Sequence, residues 1–272
     1  MRAAQMIRAM LSALVAALLV GCGSSRDAGF GAAGSGIGQT VTVTTSNFRD
    51  ADPTDWPGRS PDRYPVHGID LSRFQTAVDW QTARASGVNF AFIKATEGGD
   101  LVDPMFDTHW RAAGAAGVKR GAYHFFYHCR PAAEQARWFI KHVPRVAGAL
   151  PPVLDMEWTP TSPTCTIRRD GAVIRDEARI FLNILERHYG QRPLIYSTVD
   201  FFEDTELWRL EGAEFWLRSV ADHPHAVYDG KAWSFWQYTS TGVVPGIAGK
   251  VDINVFAGSK AAWADWVAGR SL

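Results

Sequence analysis

Two carboxylates lie two positions apart at the end of an apolar run, in Val153-Leu154-Asp155-Met156-Glu157. If this run is a strand, alternate side chains share a face, so Asp155 and Glu157 point the same way, about 7 Å apart. Two like charges at that distance oppose double ionisation, so one of the two pKa values should rise. A neutral acid beside a carboxylate is the pair that glycoside hydrolysis uses. An isolated Asp-x-Glu is usually a solvated pair, but a pair that ends an apolar run favours the catalytic interpretation.

Two further acids lie on predicted strands. Asp70 ends the segment His67-Gly68-Ile69-Asp70, and Asp252 lies in Gly249-Lys250-Val251-Asp252-Ile253-Asn254 on the final strand. In a closed barrel the first and last strands are neighbours, because closure removes both edges of the sheet. We therefore expect Asp70 and Asp252 to flank one side of the opening and to face the pair at Asp155 and Glu157.

Strand and helix patterns alternate along the chain from residue 66 onward. Short apolar runs predict strands at 66–70, 90–95, 121–126, 153–157, 193–197, 214–218 and 234–238. Helical patterns cover 77–86, 104–116, 131–143 and 172–189. Alternation of this kind favours parallel strands with right-handed crossovers, and seven or eight strands in about 200 residues favour a barrel with its chemistry at the carboxyl ends of the strands. The last third has few helices, so we predict an α/β fold, an irregular TIM-like barrel with fewer than eight flanking helices.

Eight segments match, in order, the motifs of a known enzyme family and together span residues 66–256. They are His67-Gly68-Ile69-Asp70-Leu71-Ser72 with Gln75 and Trp80, Phe90-Ala91-Phe92-Ile93-Lys94-Ala95-Thr96-Glu97-Gly98, Asp103-Pro104 with Phe106, Gly121-Ala122-Tyr123-His124-Phe125, Pro152-Val153-Leu154-Asp155-Met156-Glu157, Pro193-Leu194-Ile195-Tyr196, Phe235-Trp236-Gln237-Tyr238 and Val251-Asp252-Ile253-Asn254. On these motifs the chain resembles glycoside hydrolase family 25, the N-acetylmuramidases often called Chalaropsis-type lysozymes.

The resemblance implies a function and a set of roles. It implies a lysozyme that hydrolyses the β-1,4 bond between N-acetylmuramic acid and N-acetylglucosamine in peptidoglycan, with retention of configuration. Glu157 would be the general acid and Asp155 its assisting carboxylate, while Asp70 and Asp252 would position substrate and tune the pair. We favour attack by the substrate's own 2-acetamido group, oriented by Asp155, over direct attack by a carboxylate.

Five side chains are candidates for substrate binding. Tyr123, Tyr196 and Trp236 are expected to stack on sugar rings or to donate to the acetamido group, with packing inside the barrel as the alternative. Lys94 and Gln237 are expected to face the barrel opening, with a satisfied polar network in the core as the alternative. No metal and no cofactor are expected.

One segment departs from the family pattern. An Ala-x-Tyr usually follows the sixth strand, whereas Trp216-Leu217-Arg218-Ser219-Val220 continues without the Tyr, which leaves one wall of the substrate site unassigned. The alternative to an active hydrolase is a peptidoglycan-binding or scaffold lipoprotein that has lost turnover. Loss of one of the four acids would have indicated that alternative, and all four are present.

The amino terminus has the pattern of an export signal. Arg2 and Arg8 precede an apolar run at residues 10–20, too short to span a bilayer, and Leu19-Val20-Gly21-Cys22 resembles a lipobox. We predict that residues 1–21 are a lipoprotein signal peptide and that Cys22 is the lipidated first residue of the mature chain. The alternative is an ordinary secreted protein with an incidental cysteine.

Composition sets the remaining expectations for domains and partners. Glycines and prolines predict a flexible tether at 22–62 before the muramidase barrel at 63–272, although residues 40–45 could add an edge strand. The charges balance, with 28 basic and 28 acidic residues, so no nucleic-acid partner is expected. The expected partners are peptidoglycan glycan strands and, through the lipid, a membrane. We expect an exported, membrane-anchored monomer that faces the cell wall, either in the periplasm or at the outer membrane, or at the cell surface.

The two remaining cysteines, Cys129 and Cys165, each follow a predicted strand. If those strands are neighbours, the loops after them emerge side by side at one end of the sheet. In an oxidising compartment a disulfide between them is then expected, and two free thiols are the alternative.

We predict that replacing Cys22 by Ser releases the protein from membranes, because the lipidated residue would be lost. Membrane fractionation of cells expressing the full chain and the variant measures this. Unchanged retention of the Cys22→Ser variant on membranes would contradict the lipoprotein assignment.

Overall fold

The structure, a computed structural model, describes residues 41–270. The predicted signal peptide, Cys22 and the first part of the predicted tether lie outside the described residues. No helix within residues 41–270 is long and apolar enough to cross a membrane.

The elements alternate along the described chain as the sequence predicts. The strands are β1 (Arg49–Asp50), β2 (His67–Leu71), β3 (Phe90–Glu97), β4 (Leu101–Val102), β5 (Lys119–Phe125), β6 (Val153–Met156), β7 (Leu194–Ser197), β8 (Phe215–Arg218), β9 (Phe235–Val243) and β10 (Val251–Phe256). The helices are α1 (Trp80–Ala85), α2 (Phe106–Ala115), α3 (Ala132–His142), α4 (Gly171–Tyr189), α5 (Val199–Asp204), α6 (Pro224–Val227) and α7 (Lys260–Arg270).

Eight of these strands close into a barrel. Their order around it is β2, β3, β5, β6, β7, β8, β9 and β10, and β10 pairs again with β2. The described residues contain seven α-helices. The predicted fold class, an irregular TIM-like α/β barrel with fewer than eight helices, is confirmed.

The last strand departs from the parallel arrangement that the sequence predicts. All neighbouring pairs from β2 to β9 are parallel, whereas β10 is antiparallel to both β9 and β2. Only residues 244–250 join β9 to β10, and a parallel crossover needs a dozen residues or more. Because β10 runs in reverse, its first residues lie at the same end of the barrel as the last residues of β2.

Strand alternation divides the apolar side chains into two cores. On β3, Phe90 and Phe92 belong to the inner core, while Ala91, Ile93 and Ala95 pack in the outer core against the helices. Trp263 and Val267 of α7 also belong to the inner core. The inside of the barrel is therefore filled by large side chains at its base.

The best-defined predicted helix forms as expected. In α4, Ile174, Ala178, Phe181 and Leu185 are buried on one face. The Asp170 carboxylate caps its first turn by accepting a hydrogen bond from the Ala172 N–H, 2.8 Å away. Gly190 ends the helix with φ of 74°, a left-handed conformation that glycine adopts without steric cost.

Residues 41–64, here called the N-terminal strap, pack against the barrel, whereas the sequence predicted a flexible tether up to residue 62. Val41 and Val43 contact the inner core, and the Thr44 N–H donates to Asn89 Oδ1 over 2.8 Å. Of the segment 40–45, predicted as an alternative edge strand, residues 41–45 form no strand. Instead β1 pairs antiparallel with the end of β9.

The strap covers outward side chains of β9 that would otherwise need a helix to cover them. The short link between β9 and β10 cannot supply one, so the outward side chains of β9 need another apolar cover. Trp56 packs edge-on against Trp236 with ring centroids 5.1 Å apart, and Tyr64 contacts the same indole. This burial of apolar surface offsets the conformational entropy lost when the strap becomes ordered. The sequence of the strap has no periodic apolar pattern, so the sequence alone did not predict this order.

The structure contains the predicted disulfide between Cys129 and Cys165. The two cysteines lie in the loops after β5 and β6, which are paired neighbours in the barrel. Cys165 is buried and its sulfur also accepts a hydrogen bond from the Cys129 N–H.

We predict that the Cys129→Ser, Cys165→Ser double variant is less stable by about 3–4 kcal/mol, because the bridge spans 36 positions and restricts the unfolded chain. For a domain of this size the melting temperature should fall by roughly 6–16 °C. Thermal unfolding of the wild type with and without reductant provides the control. Equal melting temperatures for the oxidised wild type and the variant would rule out a stabilising bridge.

Candidate functional site

A cavity of about 270 Å³ opens at the carboxyl ends of the parallel strands. The inner-core aromatics close it from below. Its lining comes from most of the barrel strands and the loop after β2, and consists of Asp70, Ser72, Phe74, Lys94, Tyr123, Phe125, Asp155, Glu157, Tyr196, Trp216, Arg218, Gln237 and Asp252.

All four acids singled out in the sequence line this one cavity. Asp155 lies on the inner face of β6, and Glu157 follows two positions later with Met156 turned into the outer core. Asp70 and Asp252 lie directly opposite each other on the paired strands β2 and β10. The antiparallel direction of β10 makes this possible, because Asp252 stands near the start of its strand.

Four of the five predicted substrate-binding residues also line the cavity, namely Lys94, Tyr123, Tyr196 and Gln237. Trp236 does not, and its expected place in the site is corrected. It precedes Gln237 on β9, so alternation turns it to the outside of the barrel. There it is fully buried beneath Trp56 of the strap, and its indole N–H donates to the Ser219 carbonyl over 2.7 Å.

Asp70 is the centre of a hydrogen-bond network. Its Oδ2 accepts from the side-chain amides of Gln237 and Asn254, both at 2.8 Å. The Tyr196 hydroxyl donates to Gln237 Oε1 over 2.9 Å, and the Trp216 indole donates to Asn254 Oδ1 over 2.7 Å. Burial raises the pKa of Asp70 to about 6, although the hydrogen bonds from Asn254 and Gln237 lower it.

Asp155 lacks comparable partners. It is buried, and its Oδ1 has no hydrogen-bond partner among the described residues. Burial raises its pKa well above the usual range, and the negative charge of Glu157 raises it further. An unpartnered buried carboxyl oxygen costs free energy of folding, which is typical of a group kept for a ligand.

Glu157 and Asp252 have pKa values close to neutral pH. Burial raises the pKa of Glu157 to about 7, although the positive charges of Arg218 and Lys94 oppose this. Burial and the neighbouring Asp70 raise the pKa of Asp252 to about 8. Near neutral pH the cavity therefore holds both protonated and ionised carboxyl groups, as acid–base chemistry requires.

Lys94 faces the cavity but already has a partner. Its Nζ lies 2.7 Å from Glu97 Oε2 and 4.4 Å from the centre of the Phe125 ring. The Tyr127 hydroxyl donates to the other oxygen of Glu97. Both predicted alternatives thus hold at once, since Lys94 borders the cavity and belongs to a polar network.

Among the cavity residues to which the sequence assigned no role, two are notable, Phe74 and Arg218. Phe74 is 76% exposed at the cavity rim, in the loop after β2. Arg218 ends β8 and shares the inner face with Trp216, two positions earlier. Because Trp216 faces the inside of the barrel, strand alternation would have predicted that Arg218 also faces inside. The sequence analysis instead considered this segment only for the Tyr that it lacks.

Within residues 41–270, no group of three or more His, Cys, Asp or Glu side chains is arranged to hold a metal ion. The arrangement instead offers a proton donor, a buried acceptor and aromatic walls. These are the elements of acid-assisted cleavage of a glycosidic bond.

Comparison with known proteins points to the same chemistry. The profile of the family described as Glycosyl hydrolases family 25 matches residues 69–247. A relative in Escherichia coli strain K12, called Uncharacterized protein YegX, is 37% identical over 206 residues, or 74% of this chain and 73% of its own. Lysozyme M1 of Streptomyces globisporus is 33% identical over 254 residues, or 87% of this chain and 81% of its own.

Solved structures show the same fold. A family 25 glycosyl hydrolase from Bacillus anthracis superposes with a TM-score of 0.70 at 32% identity, covering 76% of this chain and 96% of its own. A lysozyme from Streptomyces coelicolor superposes with a TM-score of 0.66 at 30% identity, covering 75% and 97%.

We predict that Glu157→Gln stabilises the protein more at pH 8 than at pH 5. A carboxyl group whose pKa rises on folding, here to about 7, stabilises the fold fully only below its unfolded value near 4.5. That stability is lost as pH rises through the folded value, because the folded state must release a proton it prefers to keep. The free energy of unfolding of the variant relative to wild type should therefore increase by on the order of 2 kcal/mol from pH 5 to pH 8.

Denaturant unfolding at both pH values measures this gain. Asp107→Asn, which removes an exposed acid from α2, is the control. Its free energy of unfolding relative to wild type should not increase from pH 5 to pH 8. A Glu157→Gln advantage that stays constant from pH 5 to pH 8 would contradict the assigned pKa shift.

Proposed function

The chain belongs to glycosyl hydrolases family 25, and from that membership and its acid-lined cavity we propose that it is a peptidoglycan hydrolase, an N-acetylmuramidase. It would cleave the β-1,4 bond between N-acetylmuramic acid and N-acetylglucosamine with retention. The observation that carries the proposal is that Asp155, on the inner face of β6, and Glu157, just past the end of that strand, share one cavity with Asp70 and Asp252. The similarity to Lysozyme M1 over 87% of this chain supports it.

Glu157 acts in this proposal as the general acid. Its pKa of about 7 keeps a proton available near neutral pH. The same value allows the carboxylate to take a proton back in a later step. Arg218 and Lys94 limit the rise of this pKa, which would otherwise make the proton harder to donate.

Asp155 acts as the assisting carboxylate. Its unpartnered Oδ1 is free to accept the N–H of a substrate acetamido group, which would also favour its ionised form. The acetamido oxygen then attacks the anomeric carbon while the glycosidic bond breaks, and the leaving oxygen takes the proton of Glu157. Water then attacks the same carbon and gives a proton to the Glu157 carboxylate. The bond from the acetamido oxygen breaks, which restores the acetamido group and gives net retention of the anomeric configuration. Direct attack by a carboxylate is the alternative route.

The remaining cavity residues bind and orient the glycan. Asp70, held by Gln237 and Asn254, presents a fixed acceptor to substrate hydroxyl groups. Tyr123 lines the wall near the acid pair, and the exposed ring of Phe74 offers a surface on which a sugar can stack.

The cellular setting is proposed on the same basis. A peptidoglycan substrate lies outside the cytoplasm, and the disulfide between Cys129 and Cys165 suits an oxidising compartment. We propose an exported protein anchored through lipid on Cys22, with residues 23–40 as the tether that links this anchor to the strap. The proposed working form is a monomer.

We predict that the purified protein digests peptidoglycan and leaves muramic acid at the new reducing ends, as mass analysis of the products would show. Glu157→Gln should reduce turnover by at least 10²–10⁴-fold, typical of the loss of a general acid. Asp155→Asn should also cause a steep loss, because an amide cannot stabilise positive charge at the acetamido nitrogen. Glucosamine reducing ends would contradict the bond assignment, and binding without products would instead support a scaffold protein.

A substrate with a good leaving group separates the two roles. Glu157→Gln should recover part of its first step on such a substrate, because less protonation is needed, whereas Asp155→Asn should not recover. Equal responses of the two variants would contradict this division of roles. The Asp107→Asn variant serves as the matched control for removing a carboxylate.

A further inference from the structure

Arg218 is a cavity residue to which the proposed mechanism gives only an indirect part, through the pKa of Glu157. It ends β8 on the inner face, beside Gln237 in the register with β9. The structure places it in the same cavity lining as Asp70, Glu157 and Asp252. It also lies in the segment 218–220, where the chain departs from the Ala-x-Tyr that its family usually has.

The guanidinium of Arg218 has no partner within the described part of the chain. Neither a hydrogen bond nor an ion pair within 4.0 Å engages its side chain, whereas Lys94, the other cation of the cavity, pairs with Glu97 at 2.7 Å. The backbone at this position is fixed, since the Arg218 carbonyl accepts from Tyr228 over 2.6 Å and the next N–H donates to the Gln237 carbonyl. The backbone that carries the guanidinium is therefore fixed, while the side-chain donors of Arg218 are unused within residues 41–270.

The acids around Arg218 do not remove its capacity to bind an anion. Burial raises the pKa values of Glu157 and Asp252 to about 7 and about 8, so both carry protons for part of the time near neutral pH. Arginine keeps its charge throughout this range. An anionic group that enters the cavity thus meets a permanent cation and a partly neutralised set of acids.

The proposed substrate carries one anionic group directly on the sugar whose glycosidic bond is cleaved. The lactyl group of muramic acid is a free carboxylate when no peptide is attached, and a neutral amide when a peptide is attached. A guanidinium binds a carboxylate through two parallel hydrogen bonds and has no equivalent contact with an amide.

We propose that Arg218 is a specificity-determining residue that pairs with the free lactyl carboxylate of muramic acid, so that the enzyme prefers glycan strands without peptides. This inference rests on the proposed function. It also places the enzyme after a reaction of one class, the hydrolysis of the amide bond that joins the peptide to the lactyl group.

Binding to the Glu157→Gln protein tests the proposal without turnover. The probes are a tetrasaccharide of alternating N-acetylglucosamine and N-acetylmuramic acid with free lactyl carboxylates, and the same tetrasaccharide with its lactyl groups converted to amides. Calorimetry should show about 10- to 100-fold tighter binding of the carboxylate form, the range of one charge-assisted pair. Adding Arg218→Gln should abolish this preference and change the affinity for the amide form by less than about threefold.

Two further variants exclude indirect effects. Arg218→Lys keeps the charge and should retain part of the preference, and Arg111→Gln, which removes an exposed arginine from α2, should retain all of it. A preference that survives Arg218→Gln would overturn the proposal. Equal weakening of both probes would also overturn it, because Arg218 would then act only through the acids or the fold.

Hydrolysis by the wild-type protein separates this proposal from the proposed function. If the carboxylate preference in binding depends on Arg218 but no muramic acid ends are released, the specificity proposal holds and the muramidase proposal fails. If peptide-free and peptide-bearing strands are cleaved with equal kcat/KM, and Arg218→Gln does not change that ratio, the muramidase proposal holds and the specificity proposal fails.

Discussion

Four carboxyl groups share the inside of one closed barrel, and the cost of burying them together is the constraint on which the site depends. Burial is the largest cause of the raised pKa at Asp70, Asp155, Glu157 and Asp252. The protein offsets this cost unevenly. Asp70 receives two amide hydrogen bonds, while Asp155 Oδ1 receives none from the described chain. This difference separates a carboxylate that is fixed from one that is available to a ligand.

The rest of the barrel makes that burial possible. Aromatic rings fill the base of the barrel, with Phe92 and Trp216 stacked at 4.7 Å, and the cavity that the acids line lies above them. The strap packs on the outer face of β9, and within residues 41–270 the link from β9 to β10 contributes no helix to that face. Because Trp236 packs under the strap, Gln237 on the same strand is held facing inward, where it donates to Asp70. The strap thus supports the site from outside the barrel.

Local patterns predicted most of this arrangement. Period-two runs identified the strands, and the rule of alternation placed Asp155 and Glu157 on one face before any pairing was known. What the sequence did not reveal depends on tertiary contacts. The sequence of the strap has no periodic apolar pattern. The strap becomes ordered because it packs on the outer face of β9. Trp236 was misplaced because one position of register decides between cavity and outer face. Strand alternation could have placed Arg218 inside the barrel, but a sequence cannot show that its side chain lacks partners there.

The disulfide between Cys129 and Cys165 lies close to the backbone of the proposed general acid. His128, next to Cys129, donates from Nε2 to the Glu157 carbonyl over 3.0 Å, and its buried ring stacks on Phe201. Burial lowers the pKa of His128, which keeps the ring neutral with one nitrogen as donor. The loop that carries His128 is in turn tied through Cys129 to the loop that follows Glu157. In the proposed oxidising compartment, the disulfide would therefore help to fix the backbone of the proposed general acid. The proposed export would in that way also complete the support of the site.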